Sequence, residues 1–389
     1  FGAKDLFDVR GRRTRAGSVL REHAEPAAED SAAVSFLRGA GSVLLGHQNM
    51  DEFAYGFTTE NVHTGPTRNP HDRTRVAGGS SGGSAAATAA GMCHVALGSD
   101  TNGSVRVPAS FCGLFGLKPT FSRVSRRGVF PFVHSLDHVG AFARHANDLA
   151  AVFDALSTRD PRDPGQTTRT DPPALPTLED EETSRIAVLG GFFERGATPA
   201  ATGALRRVAE ALGATETVEV SGVEQARSAA FVLSGAEGGS LHLPMLREQA
   251  DAYDPAVRDR LLAGATLPAH WLLRAQRFRR VFRDRFTRLF DQFDILLAPA
   301  TPFTAPRIGE TTIELRGEEV SVRANAGLYT QPLSFIGVPI VVVPVWPTEK
   351  MPIGVQLIGA PWSEAALLRA AHRLETLGTS TCKQPGDLL

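Results

Sequence analysis

The chain has 389 residues, 42% of them hydrophobic and 21% charged, an ordinary globular composition with room for one large or two smaller domains. Its 41 Lys+Arg against 42 Asp+Glu leave a formal net charge of −1, which argues against a protein whose main work is coating nucleic acid or an anionic membrane. No run approaches the roughly 20 apolar residues of a membrane span and no signal sequence opens the chain, so a soluble protein is expected. Cys93, Cys112 and Cys382 lack metal-ligand spacing and are too few to staple such a chain. They point to a reducing, cytoplasmic compartment, with Cys93 and Cys112 as core residues.

Residues 1–9, Phe1-Gly2-Ala3-Lys4-Asp5-Leu6-Phe7-Asp8-Val9, read as a strand running into a loop. Residues upstream of Phe1 are expected to have been lost, which would leave the strand carrying Lys4 at an exposed sheet edge. Over residues 31–46 the pattern predicts a helix and then a strand, Ser42-Val43-Leu44-Leu45-Gly46, punctuated by Gly39 and Gly41. Residues 56–74, rich in Thr, Asn, Pro and Gly, predict an ordered loop over the sheet edge. The Ala/Thr run over residues 84–91 predicts a helix whose positive end points at the Ser80 region. Around residues 166–184 the chain turns Thr/Pro-rich and then acidic, Leu178-Glu179-Asp180-Glu181-Glu182, a linker between a core of residues 1–165 and a second unit at 185–293. That unit opens with a buried strand at 185–191, an amphipathic helix at 199–212 and a strand at 217–220, together a βαβ unit. Long helices follow over 240–293. Phe278, Val281, Phe282, Phe286, Leu289 and Phe290 fall at helical spacing and predict a core-facing stripe with basic residues on the solvent side. The last part, 294–389, returns to strands at 294–299 and 339–344, whose unalternated apolar runs suit strands covered on both faces.

Two segments stand out chemically: Gly78-Gly79-Ser80-Ser81-Gly82-Gly83-Ser84, and Gly98-Ser99-Asp100-Thr101-Asn102-Gly103-Ser104-Val105-Arg106. Glycine lets backbone N–H groups approach a ligand, so serines set among glycines are poised to meet a small molecule. Gly79-Ser80-Ser81-Gly82-Gly83 formally satisfies a nucleophile elbow, but the polar Asp72-Arg73-Thr74-Arg75-Val76 before it is no buried strand. Neither a phosphate-binding Gly-Lys-Ser/Thr nor a G-x-G-x-x-G motif is present. A turn through Thr101, Asn102, Gly103 and Ser104 would aim consecutive N–H groups at one point and could hold an oxyanion. A lysine able to lose its proton, such as Lys4, would make a nearby serine reactive.

Lys4-Asp5, the two serine segments and Cys112-Gly113-Leu114-Phe115-Gly116-Leu117-Lys118-Pro119-Thr120 resemble the amidase signature family. The likeness extends through Asn49-Met50-Asp51-Glu52-Phe53, Thr59-Glu60-Asn61, Ser135-Leu136-Asp137 and the strand Gly354-Val355-Gln356-Leu357-Ile358-Gly359. It implies an α/β fold, a central mixed sheet covered by helices on both faces. It also implies a catalytic trio of a lysine, a serine preceded by a cis peptide and a nucleophilic serine, which fall on Lys4, Ser80 and Ser104. The oxyanion hole falls on the N–H groups of Thr101, Asn102, Gly103 and Ser104. Ser81 and Ser84 are read as loop and cap residues, and Lys118 as structural. His47 stands where many members carry a second, non-catalytic lysine, and Ala141 where proline is usual. Tyr55-Gly56-Phe57-Thr58-Thr59-Glu60-Asn61, Asn102 in place of glycine, and Tyr329-Thr330-Gln331-Pro332 are similar to the 1-carboxybiuret hydrolase group. That likeness implies hydrolysis of a terminal amide of a small polar acid, with Arg106 and Arg323 as candidates for an anionic substrate, either of which could equally be structural, the reading favoured for Arg106, and with Tyr329 and Gln331 as further contacts. No cofactor and no metal are implied. The partners implied are a small amide substrate, a second copy of the chain and a small accessory subunit. Alternatives are the glutaminase component of glutamyl-tRNA amidotransferase and a catalytically silent scaffold protein.

Overall fold

The computed structural model describes residues 1–180, 183–315, 317–347 and 351–386. Ten strands form one mixed sheet: β1 (Gly2–Lys4), β2 (Gly46–Gln48), β3 (Val95–Asp100), β4 (Phe115–Lys118), β5 (His138–Ala143), β6 (Ile186–Leu189), β7 (Glu216–Val218), β8 (Ile295–Pro299), β9 (Ile340–Val345) and β10 (Ile353–Gly359). Their spatial order is β7-β6-β8-β10-β9-β4-β5-β3-β1-β2. β1 runs parallel to both β2 and β3, and β6 parallel to β7 and β8, while the strands between them alternate in direction. Every residue of β9 and β10 is buried, so both faces of the sheet are covered there, as their continuous apolar sequence predicts.

The helices are α1 (Ala32–Gly39), α2 (Gly82–Ala89), α3 (Arg106–Cys112), α4 (Ala146–Leu156), α5 (Pro199–Leu212), α6 (Val223–Gln249), α7 (Pro255–Ala265), α8 (Ala269–Thr287), α9 (Val322–Asn325), α10 (Gln331–Ile336) and α11 (Glu364–Thr376). Helices α2, α3, α4, α5 and α11 pack on sheet strands, whereas α6, α7 and α8 pack on one another.

Several sequence expectations are revised. Lys4 does not lie on an edge strand: β1 is bonded on both sides, and the sheet ends at β2. The strand expected at 42–46 begins only at Gly46, and Val43 and Leu45 are exposed. Residues 185–293, expected as a βαβ and helical region packed on the core, contribute β6 and β7 to the same sheet, with β6 paired directly to β8. The linker packs down: Ala174 and Leu178 are buried, and the Asp154 carboxylate accepts the N–H groups of Ala174 (2.7 Å) and Leu175 (2.9 Å). Glu181 and Glu182 lie outside the described residues. In α8 the apolar stripe is narrower than expected. Phe282 and Phe286 are fully buried, but Val281, one position round the helix, is half exposed. Cys93 and Cys112 are buried as expected, and no helix among the described residues is long and apolar enough to cross a membrane.

Candidate active site

The site forms where two parallel neighbours end together. Lys4 is the last residue of β1, and Ser99 and Asp100 close β3 beside it. Ligand sites of α/β sheets gather at such carboxyl ends, where the chain leaves the sheet and backbone groups come free. The glycine-serine loop reaches the same point, because Ser81 Oγ donates to the Ser99 carbonyl (3.2 Å) and accepts the Ser99 N–H (3.3 Å). Ser84 is no cap: it lies in the first turn of α2, and its hydroxyl donates to the Leu97 carbonyl (2.8 Å).

Lys4 is wholly buried, and its ammonium donates to Ser80 Oγ (2.6 Å) and Ser99 Oγ (2.8 Å). Burial lowers its pKa from 10.5 to about 7, against the pull of Asp51, Asp137 and Asp100. A lysine so placed gives up its proton far more readily than a solvated one and can serve as a base near neutral pH. The peptide before Ser80 is cis, as the resemblance implies. Gly79 is required there by crowding: a Cβ would lie 2.1 Å from Asp51 Oδ2 and 2.7 Å from the Thr58 backbone nitrogen. The Ser80 carbonyl accepts the Asp51 N–H (3.2 Å), and the Ser81 N–H donates to the Ser104 carbonyl (3.3 Å), tying the two serine segments together.

Between β3 and α3 the turn carrying Ser104 is organised by Asp100. Its carboxylate accepts from Gly103 N (2.8 Å), Val105 N (3.2 Å), Arg106 Nε (2.9 Å) and Arg106 Nη2 (2.9 Å). Burial works to raise the Asp100 pKa, but the Arg106 guanidinium outweighs it and holds the carboxyl below the usual carboxylate range. One expectation changes here, and of the two roles weighed for Arg106 the structural one holds. The Gly103 N–H already serves Asp100, whereas the N–H groups of Thr101, Asn102 and Ser104 take no backbone partner among the described residues. Arg106 is fully buried and spends its other donors on the Thr330 carbonyl (3.0 Å), Gln356 Oε1 (3.0 Å) and Ser334 Oγ (2.5 Å), so it is a structural ion pair out of substrate reach.

Ser104 lines a cavity of about 340 Å³ with Thr101 and Asn102. Tyr55, Phe132 and Phe231 make its apolar wall, and Arg260, Arg323 and Gln331 its polar wall. Arg323 and Gln331 thus line the same cavity as Ser104. Tyr329 does not: it is fully buried against Phe192 and Phe193, and its hydroxyl donates to the Arg195 carbonyl (2.5 Å). His47 sits away from the cavity on β2, its Nε2 3.0 Å from the Phe7 carbonyl and its Nδ1 3.4 Å from Asp5. Lys118 is buried at the Pro119 carbonyl (3.0 Å) and His138 Nε2 (3.2 Å), a structural position.

Sequence reasoning missed Ser99 as the second partner of Lys4, Arg260 in the cavity wall, and Asp137. The Asp137 carboxylate binds Thr101 Oγ1 (2.6 Å) and the N–H groups of Phe132 (2.8 Å) and Val133 (3.0 Å), fixing the turn against the wall loop. For Asp137 a signal existed in the family-like triplet Ser135-Leu136-Asp137; Arg260, among helical arginines, had none.

The family model Amidase matches residues 1–368. Over 386 residues the chain is 52% identical to AtzE, a component of 1-carboxybiuret hydrolase in Pseudomonas sp. (strain ADP), covering 98% of this chain and 84% of that protein. It is 35% identical over 418 residues to the GatA-type component of glutamyl-tRNA(Gln) amidotransferase from Deinococcus radiodurans, with 99% and 85% covered. A solved structure described as a vestigial protein complex that reveals the evolutionary origins of an s-triazine catabolic enzyme superposes with a TM-score of 0.97 at 52% identity over 98% of this chain and 84% of that one. A 6-aminohexanoate cyclic dimer hydrolase superposes with a TM-score of 0.89 at 27% identity, with 99% and 86% covered. With sheet, cis peptide and family match in agreement, the chain belongs to the amidase signature family and is an amidase, hydrolysing amide C–N bonds.

Proposed function

We propose that this amidase cleaves the terminal amide of a small anionic urea derivative and releases ammonia, as its likeness to 1-carboxybiuret hydrolase implies. In the proposed reaction neutral Lys4 takes a proton from Ser80 along their 2.6 Å contact, and Ser80 takes one from Ser104. The Ser104 oxygen attacks the amide carbonyl, and the N–H groups of Thr101, Asn102 and Ser104 hold the oxyanion. One such donor is typically worth about 3 kcal/mol. Ser80 returns a proton to the departing nitrogen, ammonia leaves, and Ser104 carries the acyl group. Water then attacks the acyl-serine, giving up its proton through the same relay, and the acid departs.

The observation that carries the anionic substrate is the composition of the cavity wall. Ser104 shares its cavity with Arg260 and Arg323, and no aspartate or glutamate is among the described lining residues. Asp51, the buried carboxyl that interacts with both arginines, has its own pKa raised by burial, so two cations in a small cavity still favour an anion. The reading includes a homodimer in the cytoplasm with a small accessory subunit, and what supports a partner is that one 52% identical relative was solved in a protein complex. An ammonia-release screen over 1-carboxybiuret, biuret, malonamate, aryl amides and glutamine tests it, with Ser104→Ala as control. Release from the ureides that disappears in Ser104→Ala is the expected result. Silence on every ureide would refute the substrate, and release surviving Ser104→Ala would refute the nucleophile. Glutamine dependence together with a tRNA-binding partner would move the protein to the amidotransferase side.

A further inference from the structure

The two arginines facing Ser104 are held in opposite ways. Arg260 lies on α7, with its Nε donating to the Ala256 carbonyl (2.7 Å) and its Nη2 to the Tyr55 carbonyl (2.5 Å). Its guanidinium carbon sits 3.9 Å from the centre of the Tyr55 ring. The helix beneath it is fixed as firmly. At Gly264 α7 touches α6 backbone to backbone, where a Cβ would come within 2.0 Å of the Gly235 carbonyl. At the other end the Asp254 N–H donates to the buried Glu52 carboxylate (2.8 Å), and the Asp254 side chain caps the Ala256 N–H (2.9 Å). Arg323, by contrast, sits on the single turn α9 at the end of a two-stranded ribbon, and it makes no hydrogen bond or close ion pair among the described residues.

A guanidinium already fixed by two carbonyls and an aromatic ring has lost its rotamer freedom before substrate arrives, so its remaining donors act as a pre-set fork. A free arginine attracts an anion but must be ordered by it, and its contribution is screened by salt. These physical differences divide the labour. We propose that Arg260 is the specificity-determining residue of the cavity, a fixed seat whose Nη1 donors take the substrate carboxylate and so decide which end of a small acid faces Ser104, while Arg323 supplies attraction without fixed geometry. The assignment rests on the anionic-substrate reading above. It answers a problem such substrates pose: a short molecule with carbonyls at both ends can enter either way round, and only a fixed charge sorts the two orientations.

Malonamate and malonamide, near-isosteres that differ in one charged end, separate this role from simple support of Tyr55. The ratio of their kcat/KM values, taken within one preparation, cancels any loss of folded enzyme. The wild type is expected to favour malonamate, and Arg260→Gln to lower that ratio about tenfold or more, much of it in kcat. Arg260→Lys, which keeps the charge without the fork, should restore KM more than kcat. Arg323→Gln should act chiefly on KM and shrink as salt rises. Malonate, used as a competitor against whichever amide is hydrolysed, should bind about tenfold more weakly to Arg260→Gln. An Arg260→Gln enzyme with the wild-type ratio and unchanged malonate inhibition would overturn the role of Arg260 while leaving the anionic substrate standing. A wild type that prefers malonamide would overturn both.

Discussion

Replacing Lys4 with methionine should make the protein more stable and inactive at once. Lys4 is wholly buried and its pKa is lowered from 10.5 to about 7. At about 1.4 kcal/mol per unit, the difference corresponds to a burial cost on the order of 5 kcal/mol when the lysine is charged. Below pH 7 both folded and unfolded chains carry the proton and the cost is full. Between 7 and 10.5 the unfolded chain holds a proton that the folded one has released, so stability rises with pH, and above 10.5 the cost is gone. Methionine removes the cost but also the hydrogen bonds to Ser80 and Ser99, about 1 kcal/mol each, leaving a net gain of about 2 to 3 kcal/mol at pH 6. For a chain of 389 residues this is roughly 3 °C in Tm, read by differential scanning calorimetry at pH 6 and pH 9, with the gain shrinking at the higher pH. Lys118, also lowered to about 7 by burial, titrates in the same window, so the comparison is wild type against Lys4→Met at each pH. Ammonia release should fall by about a thousandfold or more, and wild-type kcat/KM should decline below an apparent pKa near 7. A Lys4→Met protein less stable than wild type at pH 6, or a wild-type rate flat from pH 8 to pH 5.5, would refute the buried-base argument.

Gly79→Ala should fold poorly and release little ammonia, because its Cβ would overlap Asp51 Oδ2 and the Thr58 backbone; soluble expression with near-normal activity would contradict that crowding. Asp100→Asn should cost about 3 to 5 kcal/mol in urea denaturation, since it strands the buried Arg106 charge, and a loss below about 1 kcal/mol would show the pair to be dispensable. In α8, Phe282→Ala should cost about 3 to 5 kcal/mol and Val281→Ala less than about 0.5, and equal costs would restore the wider stripe that the sequence predicts.

Local chemistry was legible in the sequence, and long-range packing was not. Ser80 and Ser104 could be singled out because serines set among glycines make tight turns whose geometry is constrained within a few residues. Lys4 was marked only by its motif, since nothing near it in sequence announces that β2 and β3 will enclose it. Arg106 illustrates the limit in the other direction. Two residues from Ser104 it could be read as a substrate contact or as a structural residue, and what decides is one helical turn that aims it back at Asp100 and at residues more than 200 positions away, Thr330, Ser334 and Gln356. Arg260 escaped notice for the converse reason: on a helix rich in charged residues it resembles a solvent-facing cation, and only the close crossing of α6 and α7 turns it inward. Val281 failed through angle alone, because apolar spacing fixes the direction of a stripe better than its width.

The acids around Lys4 explain why its base strength is useful as well as why it exists. Burial alone would push the amine further down, leaving it neutral but too weak to take a proton from a serine. Asp51, Asp137 and Asp100 pull in the opposite direction and hold it near neutrality, where the product of neutral fraction and basicity is greatest. These carboxylates must themselves be kept from binding Lys4 as ion pairs, which would fix it in the charged form. Each is engaged elsewhere: Asp100 by Arg106, Asp137 by Thr101 and two backbone N–H groups, and Asp51 by the Thr59 N–H (3.1 Å). Burial raises the pKa of Asp51 and of Asp137, so each is a softened rather than a full counter-charge. The direct partners of Lys4 are therefore two neutral hydroxyls, one that can pass a proton on and one that can only orient the amine, and the substitution Ser99→Ala should disturb the second function while leaving the first contact in place.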